Sequence, residues 1–438
     1  MKRIATKLIP KFVFHLYHLA FAYLGAFMYG FPSRGMIVVG VLGTRGKTTI
    51  ANLLWSVLTS AGYKTGLTGT ANIRIGLLER LNKFHMTMPG RFTMQKMLAE
   101  MRKGGCRFAI VETPSEGVEQ SRHIGIAYDA LIMASLYPEY LETHGRSFER
   151  CKEMHIKPFR ALYKQPGKVL NGKKVPKIIV VNNDIAERDL FLKNRADVRV
   201  TYGAGGTQVS AENISEDEND RPIFSVGSVR YSLGIRGIFN VQNALAAIAC
   251  ASALGIQNQH IKEGIEKLKL VPGRMEEITD WERDFSVFVD YAHDAVSFEA
   301  MLGSSGKLKK SAGVKLIVII GAEGGGRDRE KRPVMGGIAA KYADIVIVTN
   351  VDSYHDDPML IIEEVARGAE SAGKERDKNL FLELDRREAI RRAFKFAGRG
   401  DVVIITGKGS EQSMETKDGR IPWDDRTVAR EELEKISP

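Results

Sequence analysis

One stretch of the sequence restricts the fold more than any other. Ile37-Val38-Val39-Gly40-Val41-Leu42 runs through Gly43-Thr44-Arg45-Gly46-Lys47-Thr48-Thr49 into IANLLWSVLTSAG. An apolar run rich in β-branched residues reads as a strand buried on both faces of a parallel sheet. The segment after the glycines repeats its apolar residues at helical spacing and stops at Gly62. Strand, glycine-rich turn and helix in that order place the chain in the α/β class. They also build a phosphate site, because backbone N–H groups at a helix N-terminus can cradle phosphate oxygens. Lys47 can reach the outer phosphates of a nucleotide, and the Thr48 hydroxyl can ligate Mg²⁺. The general pattern G-x-x-x-x-G-K-[ST] would put its first glycine at Val41. The loop is therefore a G-T-x-G-K-T-T variant.

Similar runs at 107–112, 130–136 and 177–182 alternate with helical stretches, which predicts a parallel sheet with helices on its faces. Glu112 follows Phe108-Ala109-Ile110-Val111, at the C-terminal end of a strand, where open α/β sheets hold ligands. Residues 198–235 read as short strands and turns on the flank. A second, smaller α/β unit begins after Pro272, with strands near 285–290, 315–320, 344–349 and 401–406. The expected division is a basic apolar helical segment at 1–35, an ATP-binding domain at 36–271 and a C-terminal domain at 272–438. A hinge is expected near Leu270-Val271-Pro272-Gly273.

Charged residues at 27% and apolar residues at 44% suit a soluble globular chain. Cys106, Cys151 and Cys250 show no C-x-x-C spacing, so neither a disulfide framework nor a zinc site is expected, and a reducing cytosol is. A net charge of +11 suits a partner rich in phosphate or carboxylate, a membrane face or a nucleic acid. No stacking-aromatic or basic-helix motif supports nucleic acid. No Asp or Glu occurs before Glu79. Residues 12–31, FVFHLYHLAFAYLGAFMYGF, are long enough to cross a bilayer, with Lys2, Arg3, Lys7 and Lys11 ahead of them. A single span would carry the phosphate loop away from cytosolic ATP. The expectation is instead a helix lying in the membrane interface or one docked on the protein body, with His15 and His18 on a partly polar face.

The phosphate loop resembles that of the Mur ligases, the ATP-dependent ligases that build the peptidoglycan stem peptide. Further motifs follow in family order. Glu112-Thr113-Pro114-Ser115-Glu116-Gly117, with Gln120 and Arg122, resembles E-x-x-S-x-G-x-x-Q-x-R of the tripeptide-forming members. Thr87-Met88-Pro89 resembles their T-T-P, and Gly237 to Ala244 their adenine-binding segment. Val271 to Glu276, Val289-Asp290-Tyr291-Ala292-His293, Gly326-Arg327-Asp328 and Gly407-Lys408-Gly409-Ser410-Glu411 resemble C-terminal-domain motifs. The resemblance covers roughly residues 36–435.

What this resemblance implies is amide synthesis through an acyl phosphate, with ATP and Mg²⁺ as cofactors. The implied partners are a UDP-muramyl-peptide-like donor and a free amino acid. The implied nucleotide contacts are Gly43, Thr44, Arg45, Gly46, Lys47, Thr48 and Thr49, with Asn240 and Asn243 at adenine. Arg274 and His293 would approach phosphate and Asp290 ribose, which requires the two domains to close over ATP. Thr87, Ser115, Gln120 and Arg122 would serve the donor. Arg327, Asp352, Gly407 and Glu411 would serve the acceptor. Thr48, Glu112 and His144 are the implied metal ligands. The sequence departs from the family where T-N-L-S-x-D-H-L-D-x-H-G becomes Ala134 to Gly145: the usual metal-binding His falls on Tyr140, which leaves a second metal site rebuilt with Glu139, Glu142 or His144, a weakened site or a lost one as the alternatives. The lysine that the family carbamylates falls on His155, or on Lys152 if the gap is shifted. The D-N-P-R motif that reads diaminopimelate becomes Val351-Asp352-Ser353-Tyr354 and loses its Arg, leaving lysine or another amino acid open. The family's uridine-binding domain would precede the phosphate loop, and residues 1–35 stand there instead. They are expected to take over part of the donor-side role by docking on a membrane or a partner at the inner face of the membrane. The rival readings are a folylpolyglutamate- or polyglutamate-synthase-like ligase on the same scaffold, or a Mur-like ATP-binding protein with reduced activity.

Overall fold

The fold is described from a computed structural model over residues 11–138, 144–279, 284–308 and 313–436. Two compact units emerge. The first comprises residues 1–215, 222–234 and 240–269, and the second comprises 216–221, 235–239 and 270–438.

The centre of the first unit is the strand read most directly from sequence. β1 (Ile37–Leu42) is buried at every residue, because sheet neighbours and helices cover both of its faces. The other strands of this sheet are β2 (Thr65–Thr68), β3 (Asn72–Ile75), β4 (Leu78–Leu81), β5 (Phe108–Glu112), β6 (Ala130–Met133), β7 (Ile178–Asn182) and β8 (Val198–Tyr202). Their order is β8-β7-β6-β1-β5-β2-β3-β4. All pairings are parallel except β2–β3 and β3–β4, an antiparallel meander absent from the sequence reading. Its strands are four residues long and carry little alternation, so their signal is weak. A three-stranded sheet over Glu212–Glu216, Pro222–Val226 and Val229–Ser232 matches the short strands expected in 198–235.

Five helices position the site. α1 (Lys11–Met28) and α3 (Arg91–Lys103) lie together, α2 (Lys47–Ser60) follows the phosphate loop, and α4 (Phe148–Leu162) and α5 (Asn240–Ala253) complete the layers. Met94, Leu98 and Met101 of α3 and Ile156, Phe159 and Leu162 of α4 pack with Val38, Leu42, Ala109 and Leu131 of the sheet in one core. An ionic knot sits at the N-terminal end of that sheet. Asp129, fully buried, accepts the Val38 amide at 2.9 Å, the Lys168 ammonium at 2.5 Å and the Lys177 ammonium at 3.1 Å. Burial, only partly offset by Asp129, draws the Lys168 pKa down to about 8.

The second unit is built on β9 (Glu276–Glu277), β10 (Ser286–Asp290), β11 (Leu316–Ile320), β12 (Ile345–Thr349), β13 (Leu380–Glu383) and β14 (Val402–Thr406), in the order β9-β10-β14-β11-β12-β13. Only β9–β10 is antiparallel. Separate apolar clusters fill its two faces, one with helices Ala295–Ser305, Lys331–Tyr342 and Pro358–Ser371, the other with Arg386–Phe396 and Asp425–Glu434. Between the latter two helices, the buried Arg386 guanidinium grips Asp425 through two bonds of 2.8 and 2.7 Å.

α1 settles the character of residues 12–31 in part. No helix among the described residues is long and apolar enough to cross a membrane. Ala22 and Ala26 are fully buried, and the Phe21 and Phe92 rings meet edge-on at 5.9 Å. The helix is therefore docked on α3 by a seam of small residues.

Candidate active site

β1 and β6 are neighbours, and the chain leaves both at the same end of the sheet. Ser135 joins the two exits. Its carbonyl accepts the Thr44 amide at 3.1 Å, its hydroxyl accepts the Arg45 amide at 2.8 Å, and it shares a 3.1 Å bond with the Thr44 hydroxyl. This is why the strand expected over 130–136 stops at Met133: from Ser135 the polar groups serve the loop rather than a sheet ladder. Gly46, at φ +81°, needs its missing side chain, since a Cβ there would lie 2.4 Å from Oδ1 of Asn243. α5 can therefore approach the loop, and Asn243 donates to Asn240 at 2.8 Å beside it. The Lys47 ammonium folds back to donate to the carbonyls of Gly43 (2.6 Å) and Thr44 (2.9 Å). Thr49 lies buried in the first turn of α2.

Glu112 is fully buried at the end of β5. It accepts the Thr48 hydroxyl at 3.0 Å, the Thr70 amide at 3.1 Å and the Thr70 hydroxyl at 3.0 Å. The Thr70 hydroxyl also pairs with that of Thr87 at 2.8 Å. A Cβ on Gly69 would fall 1.9 Å from Oε1 of Glu112, so only glycine fits between β2 and this carboxylate. Gly69 and Thr70 were not read from the sequence. The available signal was a Gly-Thr pair just past a strand, the same context that singled out Glu112. Thr48 and Glu112 offer hard oxygen donors only, and that chemistry fits Mg²⁺.

The residues expected to serve the donor gather next to this cluster. The Ser115 hydroxyl bonds His144 Nε2 at 2.9 Å, and Nδ1 of His144 faces Glu119 at 3.4 Å. Arg122 donates to Gln120 Oε1 at 2.6 Å and to the Met88 carbonyl beside Thr87. Arg91, unread in the sequence, donates to the Gln120 carbonyl. Both guanidiniums lie below their ordinary pKa, chiefly through burial, and for Arg91 through the neighbouring charge of Arg122 as well.

In the second unit the C-terminal ends of β10, β12 and β14 assemble another polar cluster. Lys408, fully buried, donates to Asp352 at 2.7 Å and to Glu411 at 2.5 Å. Burial works against its charge, but the two carboxylates prevail and raise its pKa. Glu323 is pushed up by burial and drawn down further by Lys331, His293, Arg327 and Lys408, to about 2. Arg327 stands 3.9 Å from it and Lys331 3.6 Å. Asp290 accepts the amides of Ala292 and Met275, both at 2.7 Å. Arg274 lies over the Tyr291 ring at 4.2 Å, and His293 Nδ1 is 2.8 Å from the Tyr291 carbonyl. Gly407 takes φ +104° as the chain leaves β14. Glu323 joins this group from outside the motifs quoted in the sequence, and Lys408 and Tyr291, motif residues given no role there, join it as well. Only their mutual charge and burial reveal them.

Residues 41–251 match the Mur ligase middle domain, and residues 273–409 match the Mur ligase glutamate ligase domain. The chain is 35% identical over 430 residues to the UDP-N-acetylmuramyl-tripeptide synthetase of Roseiflexus sp. (strain RS-1), covering 95% of this chain and 82% of that one. The chain belongs to the Mur ligase family. A second relative, the UDP-N-acetylmuramoyl-L-alanyl-D-glutamate–2,6-diaminopimelate ligase of Halalkalibacterium halodurans, is 34% identical over 95% of this chain and 82% of its own. The solved structure of a ligase with that same activity superposes with a TM-score of 0.58 at 28% identity, covering 91% of this chain and 78% of that chain. This Mur ligase is accordingly an ATP-dependent, carbon–nitrogen bond-forming enzyme of peptidoglycan precursor synthesis.

Glu139, Tyr140 and Glu142 lie outside the described residues. Both ring nitrogens of His144 are occupied by Ser115 and Glu119, so in this state it holds the donor side together. Lys152 is ion-paired with Glu149 and, at 3.5 Å, with Glu187, and it stands over the Phe148 ring. None of these partners is a site residue. His155 is fully buried, and neither ring nitrogen finds a hydrogen-bond partner among the described residues. Burial first, then the charges of Lys47 and His144, lower its pKa to about 3.

A neutral imidazole locked in the fold has a pH signature. Unfolded histidine binds a proton below about pH 6.5 while folded His155 does so only near 3, so stability is complete above 6.5 and falls as pH drops between the two. The expected contribution is a slope of about 1.4 kcal/mol per pH unit. His155→Leu should remove that slope from denaturant midpoints measured between pH 6 and 4. An unchanged slope would show that His155 is not the titrating group.

Proposed function

We propose that this ligase joins a free amino acid to the carboxylate of a UDP-muramyl-peptide-like donor, using ATP and Mg²⁺. The observation that carries the reading is the continuous contact from Lys47 and Thr48 through Glu112 and Thr70 to Thr87. The Glu112 carboxylate and the Thr70 hydroxyl stand between Thr48 and Thr87, and this chain of contacts supports the reading.

The chemistry runs in two displacements. A donor carboxylate oxygen attacks the γ-phosphorus of ATP, the bond to the β-phosphate oxygen breaks, and ADP leaves. The amine nitrogen of the amino acid then attacks the acyl carbon, phosphate departs, and the nitrogen loses a proton. The protein contributes mainly position and charge neutralisation. Lys47 leaves its two carbonyls for the outer phosphate oxygens, and the loop residues Gly43, Thr44, Arg45, Gly46 and Thr49 surround the chain of phosphates, with the Thr44 and Arg45 amides held on Ser135 to fix the loop. Mg²⁺, held by Thr48 and Glu112, would spread the phosphate charge. Ser115, Gln120, Arg122 and Thr87 orient the donor. Asn240 and Asn243 take adenine, while Arg274, Asp290 and His293 serve phosphate and ribose. Arg327 and Lys331 suit the acceptor's carboxylate, and Asp352, Gly407 and Glu411 its amine end. Contact with a membrane through residues 1–31, at its cytoplasmic face, belongs to the same proposal.

The test incubates the enzyme with ATP, UDP-linked muramyl dipeptide and mixed amino acids, and weighs the product by mass spectrometry. The expected product is the donor plus one amino acid less one water, with one phosphate released for each. Phosphate release that is indifferent to this donor, or that requires a folate or polyglutamate donor instead, would overturn the reading.

A further inference from the structure

α1 buries one narrow seam and leaves the rest of its circumference open. Ala22, Gly25 and Ala26 face α3 and the turn at Gly125, where Ala26 packs so closely that a Cβ on Gly125 would lie 2.8 Å from it. Away from that seam Tyr17, Tyr23, Leu24, Phe27 and Met28 are exposed, Phe27 at 71% and Met28 at 64%, with the half-exposed Phe21, whose ring meets Phe92, at the margin. Six large apolar or aromatic side chains within twelve residues of one helix form the type of contiguous patch that marks an interaction surface.

The charges around this patch select the partner. Arg34, Lys96, Arg102 and Lys103 are exposed beside α1: Arg34 stands 4.2 Å over the Phe31 ring, Arg102 reaches the Gly30 carbonyl at 3.4 Å, and Lys96 lies on α3. The sequence supplies no acid before Glu79 and nine Lys or Arg in the same stretch. A second copy seated on this face about a two-fold axis would bring like cationic rims together. An anionic surface with an apolar interior satisfies both parts at once, and Tyr side chains are at home at that boundary.

We propose that α1 docks in the plane of an anionic lipid bilayer, with Tyr17, Phe21, Tyr23, Leu24, Phe27 and Met28 inserted at the headgroup boundary and Arg34, Lys96, Arg102 and Lys103 on the headgroups. This deepens the membrane contact proposed above by naming the surface and its partner. Its consequence concerns the donor. Arg91 lies on α3, one residue before the Phe92 that packs on α1, and it shares Gln120 with Arg122. The donor-side guanidiniums would therefore work within a few residues of the bilayer.

The full-length protein is sedimented with vesicles of phosphatidylcholine alone and of phosphatidylcholine with 30% phosphatidylglycerol, at low salt and at 0.5 M salt. Expected are at least tenfold tighter binding to the anionic vesicles, a large loss at high salt, and at least a tenfold loss in the double variant Leu24→Glu/Phe27→Glu. Both positions are exposed, so the variant should keep the wild-type melting temperature and phosphate release. Lys47→Ala should bind vesicles as the wild type does, which keeps a failed ligase reading distinct from a failed docking surface. Absence of binding to anionic vesicles, or equal binding by the double variant, would overturn the proposal. A wild-type dimer that the double variant dissociates would assign the face to a second copy instead.

Discussion

Lys47→Ala is expected to lower ligase turnover by about a thousandfold while leaving the fold intact. In the resting state the ammonium satisfies two loop carbonyls, Gly43 and Thr44, which water can serve in its absence. The loss falls on the transition state, where charge builds on the transferred phosphate in a site built from fixed donors. Removing one such preorganised group costs about 10²- to 10³-fold. The measurement is phosphate release with saturating donor, read beside thermal unfolding. A variant that keeps a tenth or more of wild-type turnover would remove Lys47 from the mechanism. Lys47→Arg is a useful companion: the longer planar group cannot fold back onto both carbonyls in the same way, and it should recover little.

The second large effect is expected from Glu112→Gln. The amide oxygen can still accept from Thr48 and Thr70, but the charge that suits a divalent cation is gone. Turnover should fall by about 10²-fold or more, and the Mg²⁺ concentration for half-maximal rate should rise. Partial recovery by added Mg²⁺ would separate a metal role from a structural one. Unfolding of the variant without any change in Mg²⁺ demand would point to Glu112 as a packing element. Gly69→Ala probes the same carboxylate from the opposite side. Its Cβ would meet Oε1 at 1.9 Å, so Glu112 must shift away from Thr48. A similar loss of rate is expected with Thr48 and Glu112 both still present.

Much of the first unit was legible because its strands are short apolar runs with no competing helical period. The strands expected from 107, 177, 285, 315, 344 and 401 each begin one residue later in the structure, and β1 matches at both ends. The 130–136 run failed at its end for a local reason: Ser135 spends its polar groups on the phosphate loop. The β2–β4 meander and β13 escaped notice because four-residue strands carry too few positions to establish a period. Among the site residues, those in motifs could be named from the family resemblance that the motifs carry. Thr70, Gly69, Arg91 and Glu323 could not, because each acquires its meaning from a neighbour far away in the chain.

The amino-acid order by itself determined the phosphate loop, since a buried strand, a turn that tolerates positive φ and a helix N-terminus are properties of consecutive residues. It likewise determined the cationic, apolar character of residues 1–35. Only the tertiary structure decided that His155 is sealed away as a neutral ring, that His144 is committed to Ser115, and that α1 hides its small residues while presenting its large ones. Those outcomes depend on which side chains desolvate one another, and desolvation is settled by packing between segments distant in sequence.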